Sequence, residues 1–458
     1  VKTIAFRLCV IAIVWAACGC GDAASQVKPG DVRSGIAQVR QLGFLQAVPF
    51  VSKTPDEAQQ MMIAKLERDN TDEELRVSGE AGQMTGLFPS GIDLKREQIK
   101  LMREQVAGFY DPHDKVMVEV RGMGVLGGAF VDHSGAGGEL LYAHELTHAL
   151  QDQHFGLEPM MERAKNNDDE EIALHSVMEG DATLAGLGYV AGGLTSQAAD
   201  RIVAQLGALD AGAEAESDGA PLALRAPMMF QYSAGARFVA EAWKRGGWSA
   251  VDALYRDPPL SSQQIIEPSL YFDHRTLPRK VVLSGYQSQL ANWKKVEDDT
   301  FGELLLKIIL ERNLPPHAPA LSLAQGWAGD QMVILQKDGD ARRSESTSGA
   351  EQVSLRAASG TRVTLIWMIA FRDAASARAF AATYDTILVH PKGPRYAHAV
   401  EARADAVLIL IGPAVADFAA LAPRIWQATT IATPGPATQP SEIAGGAPAA
   451  GRLIGARR

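Results

Sequence analysis

The spacing of apolar residues predicts helices over the first hundred residues. The stretch "TPDEAQQMMIAKLERD" opens with Thr54 as N-cap, Pro55 at the first helical position and Glu57 closing a capping box. In "DLKREQIKLMREQVAG" the apolar residues recur at helical spacing, and Gly108 is the expected end of that helix. The region before residue 108 is therefore expected to be mostly helical.

The pattern then changes to that of a strand. A turn at Asp111 to Asp114 is followed by Val116, Val118 and Val120, an alternation typical of a half-exposed strand. A glycine-rich loop, residues 122–138, separates this strand from a helical stretch around "LLYAHELTHALQDQHF".

Further along, "DAGAEAESDGAP", residues 210–221, is expected to be a surface loop between helices. Two more helices are predicted, "SAGARFVAEAWKRGG", stopped by Gly246 and Gly247, and "TFGELLLKIILERN", stopped before Pro315. The proline-rich segment "NLPPHAPALSLAQ" is the expected domain boundary.

Beyond that boundary the pattern predicts two strands, a helix and two more strands. Their sequences are "DQMVILQ", "RVTLIWMIAF", "AASARAFAATYDTI", "YAHAVEAR" and "AVLILIG". The predicted fold class is α+β, with a mainly helical domain at residues 30–315 and a small α+β domain at residues 325–431. The tail, residues 432–458, is rich in Ala, Pro and Gly and is expected to be disordered.

Composition and charge narrow the class of protein. Of 458 residues, 47% are hydrophobic and 21% are charged, which is typical of a folded globular chain. The formal net charge is -10, and no cluster of Lys and Arg offers the basic surface that nucleic-acid binding needs. We expect peptide or small-molecule partners and no nucleic acid.

The first twenty residues have the features of a bacterial export signal. Lys2 and Arg7 precede an apolar run, residues 8–17, which is too short to span a bilayer. The following "WAACGCGD" resembles a lipobox, with Cys18, or else Cys20, as the lipidated residue. We expect residues 1–20 to be a signal peptide with a lipobox, and the protein to be exported to the cell envelope and held at a membrane by an N-terminal lipid. Ordinary secretion is the first alternative, and an uncleaved N-terminal anchor is the second.

The candidate chemistry lies in "HELTH". His144 and His148 are four residues apart, so on a helix both imidazoles can bind one metal ion. Glu145 can then act on a metal-bound water without being a ligand itself. This division of roles is typical of zinc hydrolases, in which zinc activates a water and a glutamate moves its proton.

The third ligand has several candidates. A metzincin arrangement would use His154, but it needs a helix-breaking glycine where Gln151 stands. A gluzincin arrangement takes a glutamate from a later helix, and Glu179 in "MEGDA" is favoured over Glu170 or Glu171. His175 is a further alternative.

The chain resembles an uncharacterised group of predicted bacterial and archaeal zinc metallopeptidases of gluzincin type. The resemblance covers roughly residues 30–425 and is carried by "GFYDP", "HELTHALQDQHF", "EGDAT", "GGWSAVDALYRDPPLSSQQIIEP", "FGELLLKIIL" and "GWAGDQMVIL". It implies zinc (Zn2+) on His144, His148 and Glu179, with Glu145 as general base.

The chain departs from that pattern in places. Gln263 and Glu267 stand where Glu and His are expected, so a histidine that would steady the oxyanion is missing. Thr183 stands where the thermolysin-like E-x-x-x-D has its aspartate. Asp181 is instead expected to accept a hydrogen bond from the ring nitrogen of a ligand histidine that does not bind the metal.

Tyr110 and Tyr232 are candidate oxyanion donors. The strand at residues 116–120 is expected to bind an extended peptide along its edge.

These observations predict a zinc-dependent peptidase of the bacterial cell envelope that acts on a peptide or protein substrate. The first alternative is a catalytically weak or inactive protein of the same fold, serving as a binding or envelope-maintenance lipoprotein. A second alternative is a solute-binding lipoprotein without metal.

Overall fold

The computed structural model describes residues 29–103, 108–121, 124–126, 129–131, 135–213, 220–316, 318–337 and 362–433. The signal peptide and lipobox expected at residues 1–20 lie outside these residues, as does all but the start of the tail expected at 432–458.

The chain is α+β, as predicted, and most of its elements are helices. The helices are α1 (Pro29–Arg40), α2 (Pro55–Asp69), α3 (Asp72–Thr85), α4 (Leu94–Arg103), α5 (Gly135–Phe155), α6 (Leu157–Ala164), α7 (Asp168–Val190), α8 (Ser196–Ala213), α9 (Leu222–Arg256), α10 (Ser262–Ile266), α11 (Ser269–Phe272), α12 (Gly302–Asn313), α13 (Ala320–Ala324), α14 (Ala374–Val389) and α15 (Phe418–Ala428).

The strands are short except near the C-terminal end. They are β1 (Phe50–Lys53), β2 (Gly108–Asp111), β3 (Val116–Val120), β4 (Gly124–Leu126), β5 (Ala129–Val131), β6 (Lys280–Val282), β7 (Trp293–Asp299), β8 (Trp327–Lys337), β9 (Val363–Phe371), β10 (His398–Arg403), β11 (Ala406–Ile411) and β12 (Thr430–Ala432). β4 pairs with β5 and β6 pairs with β12, in two small antiparallel sheets.

The capping box predicted for α2 is present. The backbone N–H of Glu57 donates to Thr54 Oγ1 at 3.2 Å, and Thr54 N–H donates to Glu57 Oε2 at 2.7 Å. The predicted end of α4 at Gly108 is wrong, because Gly108 begins β2 and pairs with Glu119 of β3.

The first sheet has the order β1-β3-β2. β3 pairs in parallel with β1 and antiparallel with β2. The expectation that β3 offers a free edge to a peptide is therefore wrong, because both of its edges are already hydrogen-bonded. Met117 and Val118, consecutive on β3, are both fully buried, so the strand is also less exposed than the valine alternation suggests.

Helices α8 and α9 flank the loop expected at residues 210–221. α8 extends to Ala213, so the loop is shorter than expected, and residues 214–219 are outside the described part of the chain. Gly246 and Gly247 have non-helical backbone angles and divide α9 into two segments, as the sequence predicted. α12 ends at Asn313, before Pro315, as predicted.

The largest sheet has five antiparallel strands in the order β10-β11-β9-β8-β7. Its predicted strands and α14 are confirmed, whereas the edge strand β7, α15 and the β6–β12 pair were not predicted. β9 is buried along its whole length because both faces of the sheet are covered. Trp367 faces the same core as Leu146 of α5, whereas Ile366 and Met368 face a second core under α15. The domain boundaries themselves stay a prediction.

Asp330 joins this sheet to α12. Its Oδ2 accepts hydrogen bonds from Phe301 N at 3.0 Å and Trp367 Nε1 at 2.8 Å, and its Oδ1 accepts from Gly302 N at 3.1 Å and Trp327 Nε1 at 2.8 Å. The carboxylate thus satisfies orphan N–H groups at the start of α12 and both indoles at once. Two motifs of the resemblance, "FGELLLKIIL" and "GWAGDQMVIL", meet at this residue.

Among the described residues, no helix combines the length and the apolar character that crossing a bilayer would require.

Candidate metal centre

The helix α5 carries the first two candidate ligands through the middle of the fold. Every side chain from Leu140 to Asp152 is buried, so α5 is enclosed on all sides and packs as an internal helix. His144, Glu145 and His148 are each no more than 2% exposed. Imidazole and carboxylate groups this deep require partners within the protein.

Helix α7 brings the third candidate. Its N-terminus is capped by Asn167, whose Oδ1 accepts from Glu170 N at 3.0 Å. α7 packs against α5 at Gly186, where a Cβ would lie 3.4 Å from His144 N. This packing brings Glu179, 1% exposed, to the two histidines.

The three side chains converge on one point. His144 Nε2 is 3.1 Å from both Glu179 Oε2 and His148 Nε2, and His148 Nε2 is 3.4 Å from Glu179 Oε2. Ligand atoms bound to zinc at about 2.0–2.1 Å in a tetrahedron are separated by about 3.3–3.4 Å. The group can therefore hold a metal ion, as the mutual distances of its three ligand atoms allow.

The polar contacts of Glu179 fit that role. Its Oε1 is buried and has no hydrogen-bond partner, which is costly for a carboxylate unless another group completes its environment. Burial raises the pKa of Glu179, but His148 and His144 outweigh it and hold the pKa well below its usual range. The ionised carboxylate is the form that binds a cation.

Glu145 is held by the neighbouring sheet. Its Oε2 accepts a hydrogen bond from the backbone N–H of Tyr110 at 2.7 Å, so β2 fixes the direction of this carboxylate. The hydroxyl of Tyr110 donates to Asp152 Oδ2 at 2.8 Å, and Lys115 Nζ is 2.8 Å from the same oxygen. Tyr110 therefore supports Glu145 through its main chain while its side chain binds Asp152.

The other candidate ligands lie apart from the group. His154 Nε2 is 2.8 Å from the carbonyl oxygen of Gly43, near the end of α5. His175 is buried one turn before Glu179, with its Nε2 4.0 Å from Glu171 Oε1. In the described ranges, the metal-compatible group consists of His144, His148 and Glu179 alone.

The remaining candidates take positions that the sequence did not indicate. The ring of Tyr232 stacks on that of His144, with centroids 5.9 Å apart. Gln263 is buried and donates from Nε2 to Glu303 Oε2 at 2.6 Å and to the Trp327 carbonyl at 2.9 Å, so it joins α10 to α12 and β8. Glu267 is exposed and accepts from Ser269 Oγ.

The hydrogen bonds that orient the ligand histidines differ from those expected. Asp181 does not bind a ligand histidine directly, because the side chain of Gln151 lies between them: Gln151 Oε1 is 2.8 Å from His148 Nδ1 and Gln151 Nε2 is 3.1 Å from Asp181 Oδ2. Asp181 also binds Arg40, through Nε at 2.7 Å. Gln151, three residues after His148, could have been found by its spacing, whereas nothing local marks Arg40.

Comparison with known proteins reaches only the C-terminal part of the chain. Residues 289–422 match a domain of unknown function, DUF8575. This segment spans β7 to β11 and contains none of the three candidate ligands. No curated protein and no protein of solved structure matches the chain. Support for the metal centre therefore comes from its own geometry.

Proposed function

We propose that the protein is a zinc-dependent peptidase of gluzincin type. His144, His148 and Glu179 would hold the zinc, and Glu145 would act as general base. The observation that carries the proposal is the buried group of two imidazole nitrogens and one carboxylate oxygen, with a second carboxylate, that of Glu145, held separately beside it. A structural zinc site closes with four protein ligands, whereas three ligands leave one position for water, as in catalytic sites.

The donor set supports zinc over other common ions. Imidazole nitrogens suit zinc and other late transition metals, whereas calcium and magnesium prefer oxygen ligands. Two nitrogens and one oxygen separated by 3.1–3.4 Å, close to the spacing of ligands around tetrahedral zinc, support this choice.

The contacts of Glu145 support a role in proton transfer. A bound zinc would polarise the scissile carbonyl and lower the pKa of a water molecule. The Tyr110 N–H donates to one oxygen of Glu145 and so holds this carboxyl group in one orientation beside His144. A carboxylate held in this way can accept the proton of the attacking water and deliver it to the leaving amine.

The sequence supports a location in the bacterial cell envelope, with Cys18 or Cys20 lipidated and a peptide or protein as substrate. The net charge of -10 supports a partner other than nucleic acid.

The test is hydrolysis of a mixture of synthetic peptides by the zinc-loaded protein, with new termini read by mass spectrometry. Glu145→Gln should keep zinc and lose cleavage by about 10²–10⁴-fold, the usual contribution of a positioned base. Glu139→Gln, the same change earlier on α5, is the matched control and should cleave as the unchanged protein does.

Cleavage that survives in Glu145→Gln would contradict the assigned role of this residue. A protein that binds zinc and cleaves no peptide would support the alternative of a metal-holding lipoprotein without catalysis.

A further inference from the structure

The amide of Gln151 can be oriented from its own contacts. Its Nε2 donates to the Met178 carbonyl oxygen at 2.9 Å and to Asp181 Oδ2 at 3.1 Å, and both of these groups only accept hydrogen bonds. The NH₂ group must therefore lie on that side, and Oε1 must face His148 Nδ1, at 2.8 Å.

This orientation fixes the tautomer of His148. Because Gln151 Oε1 can only accept, Nδ1 of His148 must carry the proton and donate it. The neutral imidazole then has its lone pair on Nε2, the atom that lies 3.1 Å from His144 Nε2 and 3.4 Å from Glu179 Oε2. The protein thus presents His148 in the form that binds a metal.

Asp181 anchors the amide with a full charge. Its carboxylate accepts from Arg40 Nε at 2.7 Å, from Arg40 Nη2 at 3.2 Å and from the Tyr255 hydroxyl at 2.8 Å. The side chains of Arg40 and Asp181 are both 0% exposed, so little solvent screens this pair. Arg40 in addition binds Asp252 at 2.7 Å and stacks over Trp248.

We propose that Gln151, Asp181 and Arg40 are positioning residues that fix the tautomer and orientation of His148 and thereby set the metal affinity of the centre. The carboxylate of Asp181 acts through an interposed amide instead of touching the imidazole. Because Arg40 ends α1 and lies 141 residues before Asp181, the N-terminal helix is part of the support of the centre. The inference rests on the proposed function, since it needs the centre to bind a metal.

The test compares zinc affinity, by competition with a chelator, in the unchanged protein and in Gln151→Met. This change keeps the size of the side chain and removes its hydrogen bonds. Loss of such outer support typically weakens metal binding by about 10–100-fold, and we expect that range here. The matched control is Gln98→Met, at another fully buried glutamine on α4, whose zinc affinity should not change.

A second measurement reports the tautomer without metal. Histidine-selective ¹⁵N NMR at about pH 8.5, some two units above the usual imidazole pKa, should show His148 protonated on Nδ1 in the unchanged protein. In Gln151→Met its signals should move toward the Nε2-protonated form. A purely structural role of Gln151 would leave the tautomer as it was.

Asp181→Asn serves if Gln151→Met does not fold, because it keeps an acceptor for Gln151 and removes the charge. It should weaken zinc binding less than Gln151→Met is expected to. Unchanged affinity and tautomer in the folded variants, with zinc bound by the unchanged protein, would overturn the inference and leave the proposed function standing. Absence of zinc in the unchanged protein would instead refute the proposed function.

Discussion

Gly180 of α7 and Gly235 of α9 are in backbone contact. A Cβ atom on Gly180 would lie 2.3 Å from the carbonyl carbon of Gly235, and one on Gly235 would lie 2.3 Å from the Ser176 carbonyl oxygen. Both distances are far below van der Waals contact, so neither helix tolerates a side chain at the crossing. Gly180 directly follows Glu179, so this crossing also determines where the third candidate ligand lies.

Gly180→Ala should therefore destabilise the protein and weaken metal binding together. Overpacking typically costs about 1–3 kcal/mol, and a clash with backbone belongs at the upper end or beyond. The urea midpoint and the zinc affinity are the measurements. The matched control is Gly207→Ala on α8, where a Cβ meets nothing within 4 Å and the change should stabilise the protein by about 0.5–1 kcal/mol. Equal midpoints in the two variants would contradict the close crossing.

Asp330→Ala should be among the most destabilising single changes in the C-terminal sheet. Two indole N–H groups and two backbone N–H groups would lose their acceptor in a buried place. Each unsatisfied buried donor costs about 1–3 kcal/mol, so a total loss of roughly 3 kcal/mol or more is expected after relaxation. The fluorescence of Trp327 and Trp367 should shift as well.

Asp373→Ala is a fitting comparison for Asp330→Ala. Asp373 also caps a helix, accepting from Ala375 N and Ser376 N at the start of α14, but it is exposed. Its loss should lower the urea midpoint less, because water can replace the cap. A midpoint as low as that of Asp330→Ala would contradict the role assigned to burial.

Asp169 should make stability fall as pH rises. Burial raises the pKa of Asp169 well above its ordinary value of 3.8, and the nearby carboxylates of Asp330 and Glu303 add to this effect, while bonds from Ser262 oppose it. Between 3.8 and the raised pKa, the folded state binds more protons than the unfolded state, so the free energy of unfolding decreases with pH. Above the raised pKa, Asp169 is ionised in both states, and the full cost of burying its charge remains.

Asp169→Asn removes this penalty and keeps an oxygen for Ser262 N, which donates at 2.9 Å. Compared with the unchanged protein, the variant should gain stability between about pH 4 and pH 7, measured as the difference between urea midpoints at each pH. A difference between the urea midpoints that is the same at about pH 4 and at about pH 7 would contradict the raised pKa of Asp169.

The sequence predicted what depends on local spacing. The i, i+4 relation of His144 and His148 is a property of any helix, and the strands β8, β9 and β11 are marked by long apolar runs. Gln151 shows both sides of this. Its sequence position indicates a residue that continues the helix past the glycine position of metzincins, but its side chain also contacts His148 Nδ1, which local spacing alone does not show.

What the sequence did not predict depends on residues far apart in the chain. Arg40 and Asp181 meet across 141 positions, and the contact of Gly180 with Gly235 needs two helices to cross at one point. Neither pair has a periodic pattern. The central place of β3 was not predicted for a similar reason, since three helices and the strand β2 separate it from its parallel neighbour β1.

The most direct test of the metal centre is the zinc content of the purified protein and of Glu179→Ala, measured by elemental analysis after dialysis. His154→Ala is the control, because His154 lies apart from the group and binds the Gly43 carbonyl. We predict one zinc per chain in the unchanged protein and in His154→Ala, and its loss or marked weakening in Glu179→Ala. Zinc retained at full affinity in Glu179→Ala, or absent from the unchanged protein even after reconstitution, would contradict the centre formed by His144, His148 and Glu179.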